Sequence, residues 1–405
     1  MIDVNDAGLA KRAELVIPGG TYGHMDVRSF SSTLPQYMAS GEGCRITDVD
    51  GNTYLDFMCG WGPVVLGHRN RVVQRAVADQ LALGDCLNGG SSVMVELAEL
   101  LVDTVAHADW AMLAKNGTDA TTACVTIARA ATGRRKVLIA NGAYHGAVPW
   151  CTPVAAGVVP EDRAYLDYFE YNALASVRAA AERAGDDLAA IIVCPFRHDV
   201  HRDQELADPV FAQGLRELCD RTGAVLILDD VRCGFRLDLA GSWEPLGVRP
   251  DLSAWSKAIA NGYALAAITG TDALRSAAES IYTTGSFWFS AVSMAAAMAT
   301  IRELRDTDAL SRMRDCGQRL RDGLAAQARS HGLDVVQSGP VQMPLLRFAG
   351  DDDFELTRRW CDEAGARGVY LHPYHNWFLS SAHTAADIDE ALDRIDGAFA
   401  AVARR

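Results

Sequence analysis

A chain of 405 residues is too long for one ordinary core, so two domains of unequal size are expected. A hydrophobic content of 49% describes a globular protein, a net charge of −14 excludes the basic face of a nucleic-acid binder, and no apolar run nears a membrane span. The ten cysteines are scattered without CxxC pairs or metal-ligand spacing, and the start MIDVNDAGLAKRAELV lacks an export pattern, so free thiols in a cytoplasmic compartment and no metal site are expected.

Residues 40–58, SGEGCRITDVDGNTYLDFM, alternate apolar and polar around Asp50-Gly51, which predicts a hairpin. A helix is predicted over Met94 to Val105 and a short strand over Trp110 to Ala114. The segment Asp119 to Ala131 has helical apolar spacing and closes on Gly133, a C-cap residue. The strand Val137 to Ala140 follows, then the fully apolar strand Ala189 to Val193. The helix Phe211 to Thr222 ends at Gly223, and the strand Ala224 to Leu228 ends on Asp229. Apolar strands alternating with helices indicate an α/β domain with a mostly parallel sheet covered on both faces. After about residue 290 the texture changes to long helices (Ser293 to Arg305, Leu310 to His331, Ala386 to Val402) and short strands, a smaller α+β domain. The expected division is 1–55, 56–288 and 289–405.

Three features stand out against this frame. Lys115-Asn116-Gly117-Thr118 lies between a strand and a helix, where free backbone N–H groups and the helix dipole favour a phosphate, although an ordinary N-cap by Asn116 or Thr118 explains it equally. Asp229 ends a buried strand, at the edge that faces the ligand crevice in open α/β sheets; a structural ion pair is its ordinary explanation, for it or for Asp230. Lys257 sits in SAWSKAIANG, a largely apolar stretch, and is one of only four lysines in the chain, with Lys11, Lys115 and Lys136. A desolvated lysine has a lowered pKa and serves as a Schiff-base nucleophile. A phosphate cradle, a carboxylate and such a lysine are together the handles for pyridoxal phosphate, and Tyr144 in GAYHG is placed to lay a ring on it.

The motifs in order are similar to those of the class III (ornithine-type) aminotransferases, most closely the branch with glutamate-1-semialdehyde aminomutase. ITDVDGNTYLDFMCGWGPVVLGH at 46–68, NGTDA at 116–120, AYHG at 143–146, LILDDVRCGFR at 226–236 and SKAIANG at 256–262 carry the resemblance, with PGGTYGHMDVRSF at 18–30 and LSSAHTAADIDEAL at 379–392 at the two ends. It implies pyridoxal-phosphate fold type I: a large domain with a mostly parallel seven-stranded sheet and a smaller α+β C-terminal domain. It implies phosphate binding by Asn116, Gly117 and Thr118, ring stacking by Tyr144 and Val231, ring-nitrogen pairing by Asp229, and catalysis by Lys257. Ser286, after Gly285, falls on a loop that reaches across a homodimer interface. Arg28 is implied as the holder of a substrate carboxylate, with Trp61 lining the same pocket.

Departures from the family pattern are Cys194-Pro195, Arg232, Cys233, the aromatic loop 286–291, and HPYHNW at 372–377, which includes His375 and carries no acidic residue where the aminomutase has one. Arg232 is expected beside the cofactor, and His375 in a pocket rebuilt with aromatic, Arg and His side chains. The activity implied is transfer of an amino group between an amino acid donor and a keto or aldehyde acceptor that bears a carboxylate, the rebuilt pocket suggesting a different and bulkier acceptor than the aminomutase's own. An internal amino shift, or epimerisation or elimination on the same scaffold, uses the same residues. A non-catalytic binding protein is the remaining alternative.

Overall fold

Leu188–Val193 reads LAAIIV and is buried at every position, as only a strand covered on both faces can be. The structure is a computed structural model that describes residues 5–404. This strand lies inside a seven-stranded sheet whose members are β1 (Trp110–Ala114), β2 (Lys136–Ala140), β3 (Leu166–Phe169), β4 (Leu188–Val193), β5 (Val225–Asp229), β6 (Leu252–Trp255) and β7 (Ala266–Gly270). The spatial order is β1-β7-β6-β5-β4-β2-β3. Pairs β6–β5, β5–β4, β4–β2 and β2–β3 are parallel, and β7 alone runs antiparallel to both its neighbours.

Period-two alternation sorts the strand side chains onto the two faces. Leu138, Ile191, Val193, Leu226 and Leu228 pack with Val177, Phe211 and Leu215 from the helices Leu174–Ala184 and Pro209–Thr222. Val137, Ile139, Ile192, Val225 and Ile227 pack with Ala120, Cys124 and Ile127 from the helix Gly117–Thr132. Gly133 and Gly223 cap two of these helices with left-handed φ of 67° and 70°, the positions at which the sequence predicts the stops.

These elements form one compact unit, Arg71–Asp199 with Glu205–Leu310. The other gathers the chain up to Asn70, Val200–Gln204 and Ser311 onward. It holds a four-stranded sheet of Met38–Glu42, Arg45–Asp48, Thr53–Asp56 and Val369–Tyr370, a hairpin of Val335–Ser338 and Leu345–Phe348, and the helices Glu355–Gly365 and Ala385–Ala403. The predicted hairpin at Asp50-Gly51 is present. Asp48 organises its turn by accepting from the backbone N–H of Asp50 and Asn52 and from the Tyr54 hydroxyl.

The unit limits differ from the expected 55/56 and 288/289. The helix Ala291–Asp306 buries Val292, Met294, Met298 and Ile301, and it packs on the helices Arg71–Leu81 and Ser92–Thr104 of the large unit, so the division falls after Leu310. Among the described residues no helix is long and apolar enough to cross a membrane.

Candidate active site

Five segments that follow the carboxyl ends of large-unit strands converge on one cavity of about 250 Å³. They are Asn116–Thr118 after β1, Tyr144–Gly146 after β2, His198 after β4, Asp229–Arg232 at the end of β5, and Ser256-Lys257 after β6. This is the ligand edge of an open α/β sheet.

The first segment opens a sixteen-residue helix, Gly117–Thr132. Asn116 and Asp119 form a reciprocal capping box: Asn116 Oδ1 accepts from the Asp119 N–H at 3.2 Å, and Asp119 Oδ2 accepts from the Asn116 N–H at 3.1 Å. The ordinary reading of Asn116 as an N-cap is therefore correct for its side chain. The backbone N–H groups of Gly117 and Thr118 lie in the first helical turn on the cavity wall, ahead of the ladder, where the helix dipole favours an anion. Glycine is required here by close approach. A Cβ on Gly117 would come within 2.7 Å of Val231 Cγ1, and one on Gly146, at φ 142°, within 2.7 Å of Thr118 Oγ1. The loop carrying Gly146 is pinned by Thr121 Oγ1, which donates to the His145 carbonyl at 2.7 Å.

Asp229 is buried. Its Oδ2 lies 2.6 Å from His145 Nδ1, and its Oδ1 accepts the Val231 N–H at 3.1 Å. His145 has no exposed side-chain surface, and its Nε2 is buried without a hydrogen-bond partner. Cys194 Sγ stands 3.9 Å from the same imidazole, and burial pushes this thiol well above its usual pKa, which makes it a poor metal ligand. The adjacent Asp230 has the structural role: it accepts from both the hydroxyl and the backbone N–H of Ser242. Burial raises its pKa from 3.8 to about 7 despite those two bonds.

That shift has a consequence for stability. Below the unfolded value both states hold the proton. As pH rises from about 4 to about 7 the unfolded chain loses it and the folded one does not, so Asp230 removes stability across this window. Asp230→Asn is expected to be more stable than the parent by roughly 2–4 kcal/mol at about pH 8 and to show little difference near pH 4. Denaturant melts at the two pH values check this.

Lys257 begins a short 3-10 turn, Lys257–Ala260, with φ 44°, a left-handed conformation that costs a non-glycine residue about 1 kcal/mol. The turn is wedged against the helix Ala291–Asp306, and the half-buried side chain lines the cavity. Burial first and the Arg232 charge second bring its ammonium down from 10.5 to about 7, with Asp229 acting in the opposite direction.

Eight residues predicted for cofactor binding line this one cavity: Asn116, Gly117, Thr118, Tyr144, Asp229, Val231, Arg232 and Lys257. The close glycine cradle, the buried carboxylate and the depressed lysine fit a flat ring carrying a phosphate and an aldehyde. The ninth, Ser286, is not on the cavity wall; it starts the turn Ser286–Phe289, where Lys115 Nζ sits 5.9 Å from the Phe287 ring.

The substrate-side residues lie in the smaller unit. Trp61, at φ 67°, meets His375 edge to face at 5.0 Å, with His24 and His372 at 4.8 and 5.2 Å. Arg28 is not part of this cluster of rings. Its half-exposed guanidinium donates to Glu14 and Asp26 at 3.3 Å each and to the Gly19 carbonyl at 3.1 Å, so its place is a surface ion-pair network.

His145, His198 and Ser256 also line the cavity and were not among the predicted site residues. His145 had a legible signal: it stands in AYHG, and a buried Asp229 needs a partner.

The family model for class-III aminotransferases matches residues 29–399. An aminopentol aminotransferase of Sphingopyxis macrogoltabida is 49% identical over 396 residues, covering 98% of this chain and 94% of that protein. A glutamate-1-semialdehyde 2,1-aminomutase of Desulfatibacillum aliphaticivorans is 33% identical over 412 residues, covering 95% and 96%. Among solved structures, the PLP internal aldimine form of the FumI protein of Sphingopyxis sp. MTA144 superimposes with a TM-score of 0.98 at 48% identity, covering 99% of this chain and 97% of that one. The cavity, the fold and these matches agree, and the chain belongs to the class-III aminotransferases, enzymes that depend on pyridoxal phosphate.

Proposed function

We propose that Lys257 is both the attachment point of the cofactor and the proton carrier of an amino-transfer reaction. The observation that carries this reading is a lysine brought to about pKa 7 in the same cavity as a carboxylate fixed by a buried histidine. When bound, pyridoxal phosphate supplies an aldehyde that takes up amines and a protonated ring that draws electrons from the substrate carbon. The backbone N–H groups of Gly117 and Thr118 hold its phosphate, with Asn116 keeping that turn in shape. Tyr144 and Val231 enclose the ring, and Asp229 keeps the proton on its nitrogen. Uncharged Lys257 Nζ takes a proton from the substrate carbon and gives it back two atoms away, on the carbon beyond the nitrogen, general acid–base work for an amine whose pKa lies near the working pH.

The reading includes a homodimer in which the loop at Ser286 reaches the other copy's cavity. Tyr282, 94% exposed, and Phe287, 66% exposed, support it as apolar surface that a contact would cover. It includes a cytoplasmic location, supported by ten free cysteines. Trp61 and His375 are included as substrate contacts on the family resemblance. For the donor, the relative at 49% identity is named for an aminopentol, and the Arg28 guanidinium is engaged by Glu14 and Asp26. We therefore place hydroxylated amines beside amino acids as donors, with a keto or aldehyde compound as acceptor.

Borohydride reduction of the loaded enzyme followed by peptide mapping is expected to leave a pyridoxyl mass on Lys257 alone of the four lysines; a tag elsewhere rejects the reading. Loss of the visible absorbance band with a panel of amino acids and amino polyols identifies the donor. A requirement for added acceptor separates transfer from an internal amino shift.

The cradle gives a further expectation. In Gly117→Ala the new methyl meets Val231 at 2.7 Å, and Val231 must move into the cavity or the helix must retreat. Cofactor affinity is expected to fall about tenfold, the equivalent of a mild overpacking of 1–2 kcal/mol. Absorbance titration with pyridoxal phosphate measures it, with the melting temperature of the cofactor-free protein as control.

A further inference from the structure

His198 stands on the cavity wall and has no part in holding the cofactor as described above. It follows β4 in a segment that is fixed almost residue by residue. The Tyr171 hydroxyl donates to the Cys194 carbonyl at 3.1 Å, and Trp243 Nε1 donates to the Pro195 carbonyl at 2.9 Å. Phe196–Arg197 pairs antiparallel with Glu205–Leu206, and Arg197 Nε donates to Asp199 Oδ2 at 2.8 Å. The imidazole therefore projects from a backbone that is anchored on both sides of it. The residue is 7% exposed, and its ring meets Phe196 edge to face at 5.3 Å. Among the described residues no other residue hydrogen-bonds that ring. Buried polar groups are as a rule hydrogen-bonded, so a buried imidazole on a cavity wall without a protein partner is fitted to one that enters the cavity.

We infer that His198 is a specificity-determining residue that bonds a hydroxyl group of the donor, on the carbon next to the one that bears the reacting amine. This deepens the reading above and rests on Lys257 being the attachment point. The chemistry of the ring selects the group. Burial first and the Arg232 charge second hold His198 well below its usual pKa, so it is a neutral imidazole with one N–H and one lone pair. A hydroxyl answers either nitrogen, because it both accepts and donates. A carboxylate only accepts, and its charge opposes the lone pair. The family's carboxylate holder is also engaged elsewhere, since Arg28 is paired with Glu14 and Asp26. The size of the cavity selects the position. About 250 Å³ is room for roughly eight water volumes, and the cofactor takes most of it. Only the substrate atoms beside the reacting carbon then share the space with His198 and Lys257. The cofactor carries a ring hydroxyl of its own. That group is acidic, and Arg232, a permanent cation on the same wall, suits it better than a neutral imidazole, which leaves His198 to the substrate.

The test is a ratio of two donors on one protein. The donors are 3-amino-2-butanol and 2-aminobutane, which differ by the hydroxyl alone. Stopped-flow absorbance gives the second-order rate constant of the donor half-reaction for each. The ratio is independent of the active fraction, so a variant that folds in part is still read. Relative to the parent, the alcohol-to-amine ratio is expected to fall about tenfold or more in His198→Phe and His198→Leu, which leave the hydroxyl without a partner. His198→Asn and His198→Gln each put an amide near one of the two ring nitrogens, and one of them is expected to keep the ratio within about threefold of the parent. A ratio in His198→Phe within about threefold of the parent overturns the inference. So does an equal loss in both amide variants, which makes the effect one of shape. The second readout is the affinity of the full chain for pyridoxal phosphate by absorbance titration, expected within about threefold of the parent in His198→Phe. A tenfold fall in that affinity with an unmoved donor ratio assigns His198 to the ring hydroxyl of the cofactor instead and overturns the substrate role. A parent that reacts with no amine or amino acid strikes the amino-transfer reading, whereas a reactive parent whose donor ratio is unmoved by His198→Phe strikes only the role of His198.

Discussion

Lys257→Ala is expected to lower turnover by at least about 10³-fold while leaving the fold intact. The loss is large because one atom, Nζ, carries two duties, and among the described residues no other lysine lines the cavity: Lys115, Lys136 and Lys11 lie elsewhere. The fold survives because the side chain is not part of either hydrophobic cluster of the sheet. Deleting an amine that burial already pushes toward neutrality removes a desolvation penalty. The left-handed backbone at position 257 is retained in alanine at the same strain, so a melting temperature within a few degrees of the parent is expected. Single-turnover loss of the donor-dependent absorbance change, with an unchanged circular dichroism spectrum, checks both halves. Turnover within tenfold of the parent removes Lys257 from the chemistry.

The parts of this site that were legible in the sequence are those fixed by local chemistry. An apolar strand ending in a carboxylate is readable because β5 must be buried on both faces, and its last residue must then lie at the sheet edge. The cradle is readable because a glycine follows a cap residue between strand and helix. What remained hidden depends on contacts far apart in the chain. His145 and Asp229 are separated by 84 positions, and Ser242 takes Asp230 from 12 positions on. Nothing in DD at 229–230 says which carboxyl faces the cavity; Ser242 decides it. Arg28 presents the opposite case. Its partners Glu14 and Asp26 are close in sequence, but only the fold of 17–30 shows that they claim the guanidinium. The domain limit was missed because an amphipathic helix does not declare its host, and Ala291–Asp306 follows the apolar faces of the two helices it covers. The strands β3, β6 and β7 were not predicted as elements, since short edge segments and the residues flanking Lys257 carry little periodicity of their own.

The second large effect is expected at Asp229. Asp229→Asn keeps the size of the side chain; its one oxygen accepts the Val231 N–H while its NH2 donates to His145 Nδ1 in the other imidazole tautomer, so the loop geometry is retained. It removes the negative charge, and with it the reason for a ring nitrogen to stay protonated. Loss of a preorganised charge in a dry site is typically worth about 10²–10³ in rate, and that range is expected here for the donor half-reaction. His145 acts only through Asp229. Its bond of 2.6 Å orients the carboxylate, so His145→Gln is expected to cost about tenfold, with cofactor affinity reduced in parallel. The double variant separates this arrangement from two independent contributions. With the carboxylate already neutral, the second substitution has little left to disturb, and the double variant is expected to be no slower than Asp229→Asn alone by more than about threefold. Fully multiplicative losses in the cycle, measured by stopped-flow absorbance with the same donor throughout, make His145 a separate contributor and reject the relay from imidazole to carboxylate.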